Sequence, residues 1–153
     1  AQIMELLLRL SRDRGIAIIL ITHDLGLAAG FADRILVMYG ARIVESGTTD
    51  EIFYEPKHPY TVALLKSIAR IDQDVQARLF SIRGAPPRSK LQGCCFNPRC
   101  DFSDGKLCVQ VQPGLQLCAG SHRAACHYAD RLHLLTTTDP SARPAATDSP
   151  VSS

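Results

Sequence analysis

Residues 16–24 carry the sequence Ile-Ala-Ile-Ile-Leu-Ile-Thr-His-Asp, and this stretch decides the predicted fold. Its six consecutive apolar residues show no alternation, which is typical of a strand buried on both faces of a parallel sheet. The strand is expected to end at Thr22, and Asp24 or Thr22 can cap a helix that begins at Leu25. Because ligands bind at the carboxyl ends of parallel strands, His23 is a candidate catalytic residue.

The flanking segments indicate an α/β unit. Apolar residues recur at helical spacing from Ile3 to Arg12, and Gly15 is placed to end that helix. After a second short helix, two strands are predicted at residues 35–39 and 42–45, joined by Gly40-Ala41 in a type II′ turn. The parallel pattern therefore gives way to an antiparallel hairpin at the edge of the sheet.

Two further helices are predicted from local signals. The run Thr48-Thr49-Asp50-Glu51 is a capping box, so a helix is expected from Thr49 to about Tyr54. In His58-Pro59-Tyr60, the proline stands at the first position of the next helix.

Three regions are predicted along the chain, at residues 1–70, 71–130 and 131–153. The boundary between the first two falls in a linker-like segment, residues 71–90. A short strand is also predicted there, from Leu79 to Ile82. The last region is rich in Thr, Ser, Pro and Ala and is expected to be disordered, because it has too few large apolar residues to offset its ordering entropy.

Composition narrows the range of functions. The chain has 17 basic and 15 acidic residues, a net charge of +2 that gives no indication of nucleic-acid binding. No apolar run approaches the ~20 residues of a membrane helix, so membrane association is expected through a partner. Residues 1–8 resemble the middle of a helix and carry no basic leader, and the chain is expected to begin inside a larger protein.

His23 suits phosphoryl transfer, since a neutral imidazole can position an attacking water or bind a phosphate oxygen. The alternative is a histidine bonded to a neighbouring loop. Asp24 fits a helix cap better than a general base.

The cysteines give a second candidate site. Six of them, with two histidines nearby, offer soft metal ligands: Cys94, Cys95, Cys100, Cys108, Cys118, Cys126, His122 and His127. Disulfides fit poorly with the absence of a secretory leader. The spacing Cys-x5-Cys-x7-Cys-x17-Cys is more open than common zinc templates, whereas iron–sulfur clusters tolerate varied spacing. Iron, zinc and a free-thiol loop all remain open on spacing alone.

The sequence resembles the ATP-binding subunits of oligopeptide and dipeptide ABC importers over residues 1–130. The motifs that carry the resemblance are Ile21-Thr22-His23-Asp24-Leu25-Gly26, Arg42-Ile43-Val44-Glu45-Ser46-Gly47, His58-Pro59-Tyr60-Thr61, Gly93-Cys94, Pro98-Arg99-Cys100 and Ala125-Cys126-His127. The resemblance implies the C-terminal part of a P-loop ABC ATPase domain in residues 1–70, a small loop-rich, cysteine-ligated extension in residues 71–130, and a disordered tail.

The resemblance also implies the site residues. His23 would be the switch histidine that contacts the γ-phosphate and attacking water of ATP. Cys94, Cys100, Cys108 and Cys126 would ligate a [4Fe-4S] cluster, with zinc as the alternative, while Cys95 and Cys118 fall at variable positions.

Three elements of an ATPase are missing from the sequence: a Gly-x4-Gly-Lys-Ser/Thr loop, a signature motif and an acidic strand end for Mg²⁺. The chain is therefore expected to be a fragment that cannot hydrolyse ATP alone. The implied full-length subunit couples ATP hydrolysis to peptide import at the cytoplasmic face of the inner membrane. Its implied partners are a second ATP-binding subunit, permease subunits and, indirectly, an extracytoplasmic peptide-binding protein. The alternative function is a free-standing metal-binding or redox module.

Overall fold

The computed structural model describes residues 2–68, 84–85 and 91–132. Its helices are α1 (Gln2–Arg14), α2 (Leu25–Phe31), α3 (Thr49–Tyr54), α4 (Pro59–Ile68) and α5 (Leu107–Gln110), with short 3-10 helices at Asn97–Arg99 and Ala129–Arg131. The strands are β1 (Arg34–Tyr39), β2 (Arg42–Thr48), β3 (Gln116–Ala119) and β4 (His122–Ala124). The predicted strand at residues 79–82, the predicted domain boundary and the predicted disordered tail from Thr136 lie outside the described residues.

The four strands form one antiparallel sheet in the order β1-β2-β4-β3. Strand β4 pairs directly with β2, with Glu45 opposite Ala124 and Ser46 opposite Arg123. The amide of Ala125 continues this contact by donating to the carbonyl of Val44 at 2.8 Å. Thus the cysteine-containing region completes a sheet begun by the N-terminal region.

The segment Ile16–Ile21 corrects the first prediction. It forms no strand, and Ile19 and Ile21 are 90% and 94% exposed. A parallel strand satisfies its backbone groups through neighbouring strands, and each strand in the described part of the chain pairs only within the antiparallel sheet. The described α/β structure is therefore built on a hairpin and its extension, without the predicted parallel strand.

The helix boundaries follow the local signals. Gly15 has a φ of +63°, as the end of α1 requires. The carboxylate of Asp24 accepts a 3.0 Å hydrogen bond from the amide of Leu27 and caps α2. The predicted capping box of α3 is confirmed, because Thr48 accepts from the amide of Glu51 while Glu51 accepts from the amide of Thr48. Pro59 begins α4 as predicted.

The β1–β2 turn differs from the predicted type. Gly40 and Ala41 have φ values of +56° and +59°, so both central residues are left-handed. Two positive values define a type I′ turn, whereas the predicted type II′ turn needs only the first. The sequence was misleading because alanine rarely adopts this conformation.

The core lies on the inner face of β1 and β2. Along β1, Ile35, Val37 and Tyr39 are buried and alternate with exposed residues. The ring of Tyr39 meets those of Tyr60 and Phe96, with centroids 4.7 and 5.1 Å away. This aromatic cluster joins β1, α4 and the cysteine-containing region, and such pairs add about 0.5–1.5 kcal/mol each beyond burial.

Candidate functional site

Four of the six cysteines line one cavity. They are the four predicted ligands, Cys94, Cys100, Cys108 and Cys126, and the remaining walls are His58, Pro59, Phe96, Asn97, Phe102, His127, Tyr128 and Leu132. The cavity has a volume of about 20 Å³ and is lined by apolar surface. It has room for about one atom or ion the size of a water molecule.

A close backbone approach brings the first and third of these cysteines together. The amide of Cys94 donates to the carbonyl of Cys108 at 2.8 Å. A Cβ atom on Gly93 would lie 2.3 Å from that carbonyl oxygen and 2.4 Å from atoms of Val109. Only glycine fits this crossing without a backbone shift.

The second cysteine follows the Asn97–Arg99 turn. The carbonyl of Cys94 accepts from the amide of Asn97, and the carbonyl of Asn97 accepts from the amide of Cys100. Pro98 stands inside this turn, where its fixed φ suits the first helical positions. This turn brings Cys100, six residues after Cys94, to the wall of the same cavity.

The third and fourth cysteines are held by Asp104. Its carboxylate accepts from three amides at the start of α5, including that of Cys108 at 3.0 Å. The same carboxylate accepts a 2.6 Å hydrogen bond from the hydroxyl of Tyr128. The amide of Tyr128 in turn donates to Sγ of Cys126 at 3.4 Å.

The four thiols share an environment that keeps them protonated. Burial is the main cause that raises the pKa of Cys100 and of Cys126 to about 12, and it also raises the pKa of Cys108. A hydrogen bond with Cys95, followed by burial, raises the pKa of Cys94 to about 12. Repulsion from other thiolates adds to the rise in the pKa of Cys100, Cys108 and Cys126. Metal binding at these thiols would therefore release protons.

Cys95 and Cys118 do not line the cavity. The Sγ atom of Cys95 lies 3.8 Å from the carbonyl oxygen of Tyr39, and a hydrogen bond with Cys94 lowers its pKa to about 7. Cys118 lies on β3 and is half-buried. Within the described ranges, no three His, Cys, Asp or Glu side chains are already arranged to hold a metal ion.

His122 and His127, the two histidines close to the cysteines in sequence, have different surroundings. Nε2 of His127, which lines the cavity, lies 2.9 Å from the carbonyl oxygen of Val111. His122 is outside the cavity and is 2% exposed, with Nε2 2.7 Å from Oε1 of Glu45.

Sequence reasoning missed the part played by Glu45. This carboxylate is fully buried and accepts hydrogen bonds from the amides of Lys57 and His58 as well as from His122. Burial raises its pKa. A glutamate in a strand carries no signal of burial, so only the pairing of β2 with β4 could reveal it.

His23 lies apart from the cysteine cavity. It is exposed in the loop between Ile21 and α2, just before the cap residue Asp24. Its neighbour Thr22 accepts a 3.0 Å hydrogen bond from the amide of Asp24, which fixes the turn into the helix. The imidazole is therefore accessible to a ligand from outside the described residues.

Comparison with known proteins finds a matching family and several similar proteins. Residues 44–108 match the family described as "Oligopeptide/dipeptide transporter, C-terminal region". The dipeptide transport ATP-binding protein DppD of Haemophilus influenzae is 48% identical over 129 residues, which cover 83% of this chain and 38% of that protein. DppD of Escherichia coli is 42% identical over 130 residues, 84% of this chain and 39% of that protein. The oligopeptide transport ATP-binding protein OppD of Haemophilus influenzae is 48% identical over 117 residues, 75% of this chain and 35% of that protein.

The chain is therefore similar to ATP-binding proteins of peptide transport over most of its own length. The family match covers residues 44–108 of the 153-residue chain. It spans less than two-fifths of the length of the curated relatives named above. Across residues 2–68, 84–85 and 91–132, none of the helices has the length and apolar character needed to cross a membrane.

Proposed function

We propose that this chain is the C-terminal part of the ATP-binding subunit of an oligopeptide or dipeptide ABC importer. The observation that carries the proposal is identity of 42–48% with dipeptide and oligopeptide transport ATP-binding proteins over most of the chain. A phosphate-binding loop, a signature motif and the acidic Mg²⁺ site are absent from these 153 residues. Residues beyond this chain would supply them, and with them ATP and Mg²⁺.

The exposed segment Ile16–Ile21 supports this proposal. Its side chains include Ile19 and Ile21, which are almost fully exposed. Six apolar residues in water are unfavourable, and burying one such side chain contributes about 1.5–3 kcal/mol. In the full-length subunit this segment becomes the predicted parallel strand, paired with strands that the rest of the P-loop domain provides.

In the full-length subunit, His23 acts on the terminal phosphate of ATP. The loop presents its imidazole at the end of the apolar segment, where parallel sheets bind ligands. There His23 binds a γ-phosphate oxygen and orients the attacking water, a role in positioning and electrostatics. A second ATP-binding subunit completes the nucleotide sandwich, and permease subunits couple it to transport.

The histidine role is tested in the intact subunit with His23→Ala. Nucleotide affinity should stay within about twofold, whereas the hydrolysis rate should fall at least 100-fold, since a positioned acid–base group contributes about 10²–10⁴. The control is Asp50→Ala, which removes an exposed side chain on α3 outside both candidate sites and should leave the hydrolysis rate unchanged. Unchanged hydrolysis in His23→Ala would refute the role.

The four cavity cysteines bind a metal centre in this proposal. Sulfur donors converge from four segments on an apolar cavity, which suits the soft thiolate ligation of a [4Fe-4S] cluster or zinc. A zinc ion needs less space than a four-iron cluster, for which the cavity walls must move outward. The bound centre would supply cross-links between the segments that carry Cys94, Cys100, Cys108 and Cys126.

Anaerobic purification followed by iron, sulfide and zinc assays tests the metal centre. If the assays find iron and sulfide together with a visible charge-transfer band, the site holds an iron–sulfur cluster. If they find zinc alone, the site is a zinc site and the cluster assignment is wrong. Cys100→Ser should lose the metal and make residues 91–128 more sensitive to protease, because metal binding contributes to the folding of such regions. Cys118→Ser, outside the cavity, is the matched control, and equal metal content in both variants contradicts the assignment.

We further propose that the subunit acts at the cytoplasmic face of the inner membrane. Permease subunits hold it there, and an extracytoplasmic peptide-binding protein delivers the peptide. Co-purification of the intact subunit with its permease from membranes tests this placement. Recovery of the subunit without any permease would oppose it.

A further inference from the structure

One carboxylate links the segments that carry Cys108 and Cys126, which have the longest spacing between consecutive cavity cysteines. Asp104 accepts hydrogen bonds from the amides of Lys106, Leu107 and Cys108 at 2.9, 3.1 and 3.0 Å. It also accepts from the hydroxyl of Tyr128 at 2.6 Å, across 24 positions of sequence. Its Oδ1 atom serves Lys106 and Cys108, whereas its Oδ2 atom serves Leu107 and Tyr128.

The hydrogen bonds from three backbone amides to Asp104 fix the position of Cys108. Helix α5 has only four residues, and its N-cap residue Lys106 makes no capping hydrogen bond with its side chain. One turn of helix has almost no stability of its own. The carboxylate of Asp104 satisfies the amides that the cap leaves free, and so holds Cys108 in the cavity wall.

The hydrogen bond from Tyr128 to Asp104 fixes the position of Cys126. The hydroxyl of Tyr128 is tied to Asp104, and the amide of Tyr128 donates to Sγ of Cys126 at 3.4 Å. The loop that carries Cys126 is therefore fixed to the start of α5. Loss of the tyrosine hydroxyl would release this loop while leaving the amide contacts of Asp104 in place.

The contact between Tyr128 and Asp104 has the length of a strong hydrogen bond. Its oxygen–oxygen distance of 2.6 Å is typical of a hydroxyl that donates to a carboxylate.

We propose that Asp104, acting with Tyr128, is a positioning residue that sets Cys108 and Cys126 at the cavity, an inference that rests on the proposed metal-binding role of the four cysteines. Residues that orient metal ligands in this way commonly change metal affinity 10- to 100-fold when they are replaced.

The first test measures cysteine positions in the metal-free 153-residue chain. Alkylation by iodoacetamide, followed residue by residue with mass spectrometry, reports how often each thiol opens to solvent. Asp104→Ala should accelerate alkylation of Cys108 and Cys126 about tenfold, as expected for loss of a charge-assisted hydrogen bond. Tyr128→Phe should accelerate Cys126 alone.

Two comparisons separate positioning from a general loss of structure. The exposed Asp130, in the same region, gives a matched control, Asp130→Ala, which should leave the alkylation rates of Cys108 and Cys126 unchanged. Asp104→Asn keeps one carbonyl oxygen for the amides of α5 and should restore Cys108 more than Cys126. If Asp104→Ala accelerates the alkylation of all six cysteines alike, the result for Tyr128→Phe is used instead. Faster alkylation of Cys126 alone in that variant supports the inference, and unchanged alkylation rates overturn it.

The second test uses Co²⁺ as a probe of the assembled site. The wild-type chain should show a thiolate-to-cobalt charge-transfer band, and Asp104→Ala should weaken Co²⁺ affinity at least tenfold and lower the band intensity per bound ion. Absence of the band in the wild type excludes a zinc-type site for a single ion, while the alkylation rates still decide the role of Asp104. Equal Co²⁺ affinity and equal alkylation rates in wild type and Asp104→Ala overturn the inference.

Discussion

Replacement of Glu45 by alanine should be among the most damaging single changes to this fold. Glu45 is fully buried where β2 meets β4 and the start of α4. Its two oxygens accept from the amides of Lys57 and His58 and from Nε2 of His122. Alanine would leave these three groups without their partner, and two of them belong to the buried residues His58 and His122.

The size of the loss follows from those contacts. Each buried polar group left unsatisfied costs about 1–3 kcal/mol, and breaking a buried pair costs about 3–5 kcal/mol. The expected loss in the free energy of unfolding for Glu45→Ala is therefore about 4 kcal/mol. This is a large fraction of the 5–15 kcal/mol, roughly, that stabilises a typical domain.

Two measurements test this value at pH 7. Urea denaturation followed by circular dichroism gives the global loss, and hydrogen exchange at the β2–β4 amides should accelerate about a thousandfold if 4 kcal/mol is lost locally. Glu55→Ala is the matched control, because Glu55 is exposed and lies 3.8 Å from Lys57 in a surface pair worth under about 1 kcal/mol. A loss in Glu45→Ala no larger than in the control would refute the reasoning.

The pH dependence of Glu45→Gln tests the electrostatics. Burial raises the folded pKa of Glu45 above its ordinary value of 4.5, so the folded chain binds the proton more tightly than the unfolded chain. The contribution of this group is fully present below pH 4.5 and is lost as the pH rises through the folded pKa. The stability advantage of wild type over Glu45→Gln should therefore shrink as the pH rises above 4.5. An increase would mean that the ion pair with His122 outweighs the cost of burial.

Two further predictions concern the backbone. Gly93→Ala should destabilise the chain by about 3 kcal/mol in urea denaturation, because its Cβ would overlap the backbone of Cys108. Gly114→Ala is the control and should be neutral or slightly stabilising, because the space around Gly114 is open. Similar losses in both variants would contradict the close approach of Gly93 to Cys108. Ala41→Gly should raise the melting temperature, with a gain of about 0.5–1 kcal/mol, since glycine adopts a φ of +59° without strain. Ala29→Gly, within α2, is its control and should lower stability.

Signals confined to a few residues predicted structure well. The capping box at Thr48 and Glu51, the start of α4 at Pro59 and the helix end at Gly15 all depend on neighbours within about one turn. Asp24 likewise caps α2 through a residue three positions away. These interactions join residues that are close in sequence, so they do not depend on contacts with distant parts of the chain.

Long-range pairing could not be predicted in the same way. Strands β3 and β4 carry weak local signals, and their place beside β2 depends on contacts across about 80 positions. The six apolar residues from Ile16 to Ile21 predicted a strand, but a strand forms only where partners are present. The burial of Glu45 follows from the same pairing of β2 and β4.

The sequence by itself determined the local helices, the hairpin and the choice of four cysteines and His23 as candidate site residues, because each depends on nearby residues or on a recognisable motif. Only the tertiary structure decided that Cys94, Cys100, Cys108 and Cys126 line one cavity and that Asp104 and Glu45 hold the segments around it. The physical reason is that these contacts form between residues distant in the chain, where the free energy gained by packing, rather than any local preference, selects the partners.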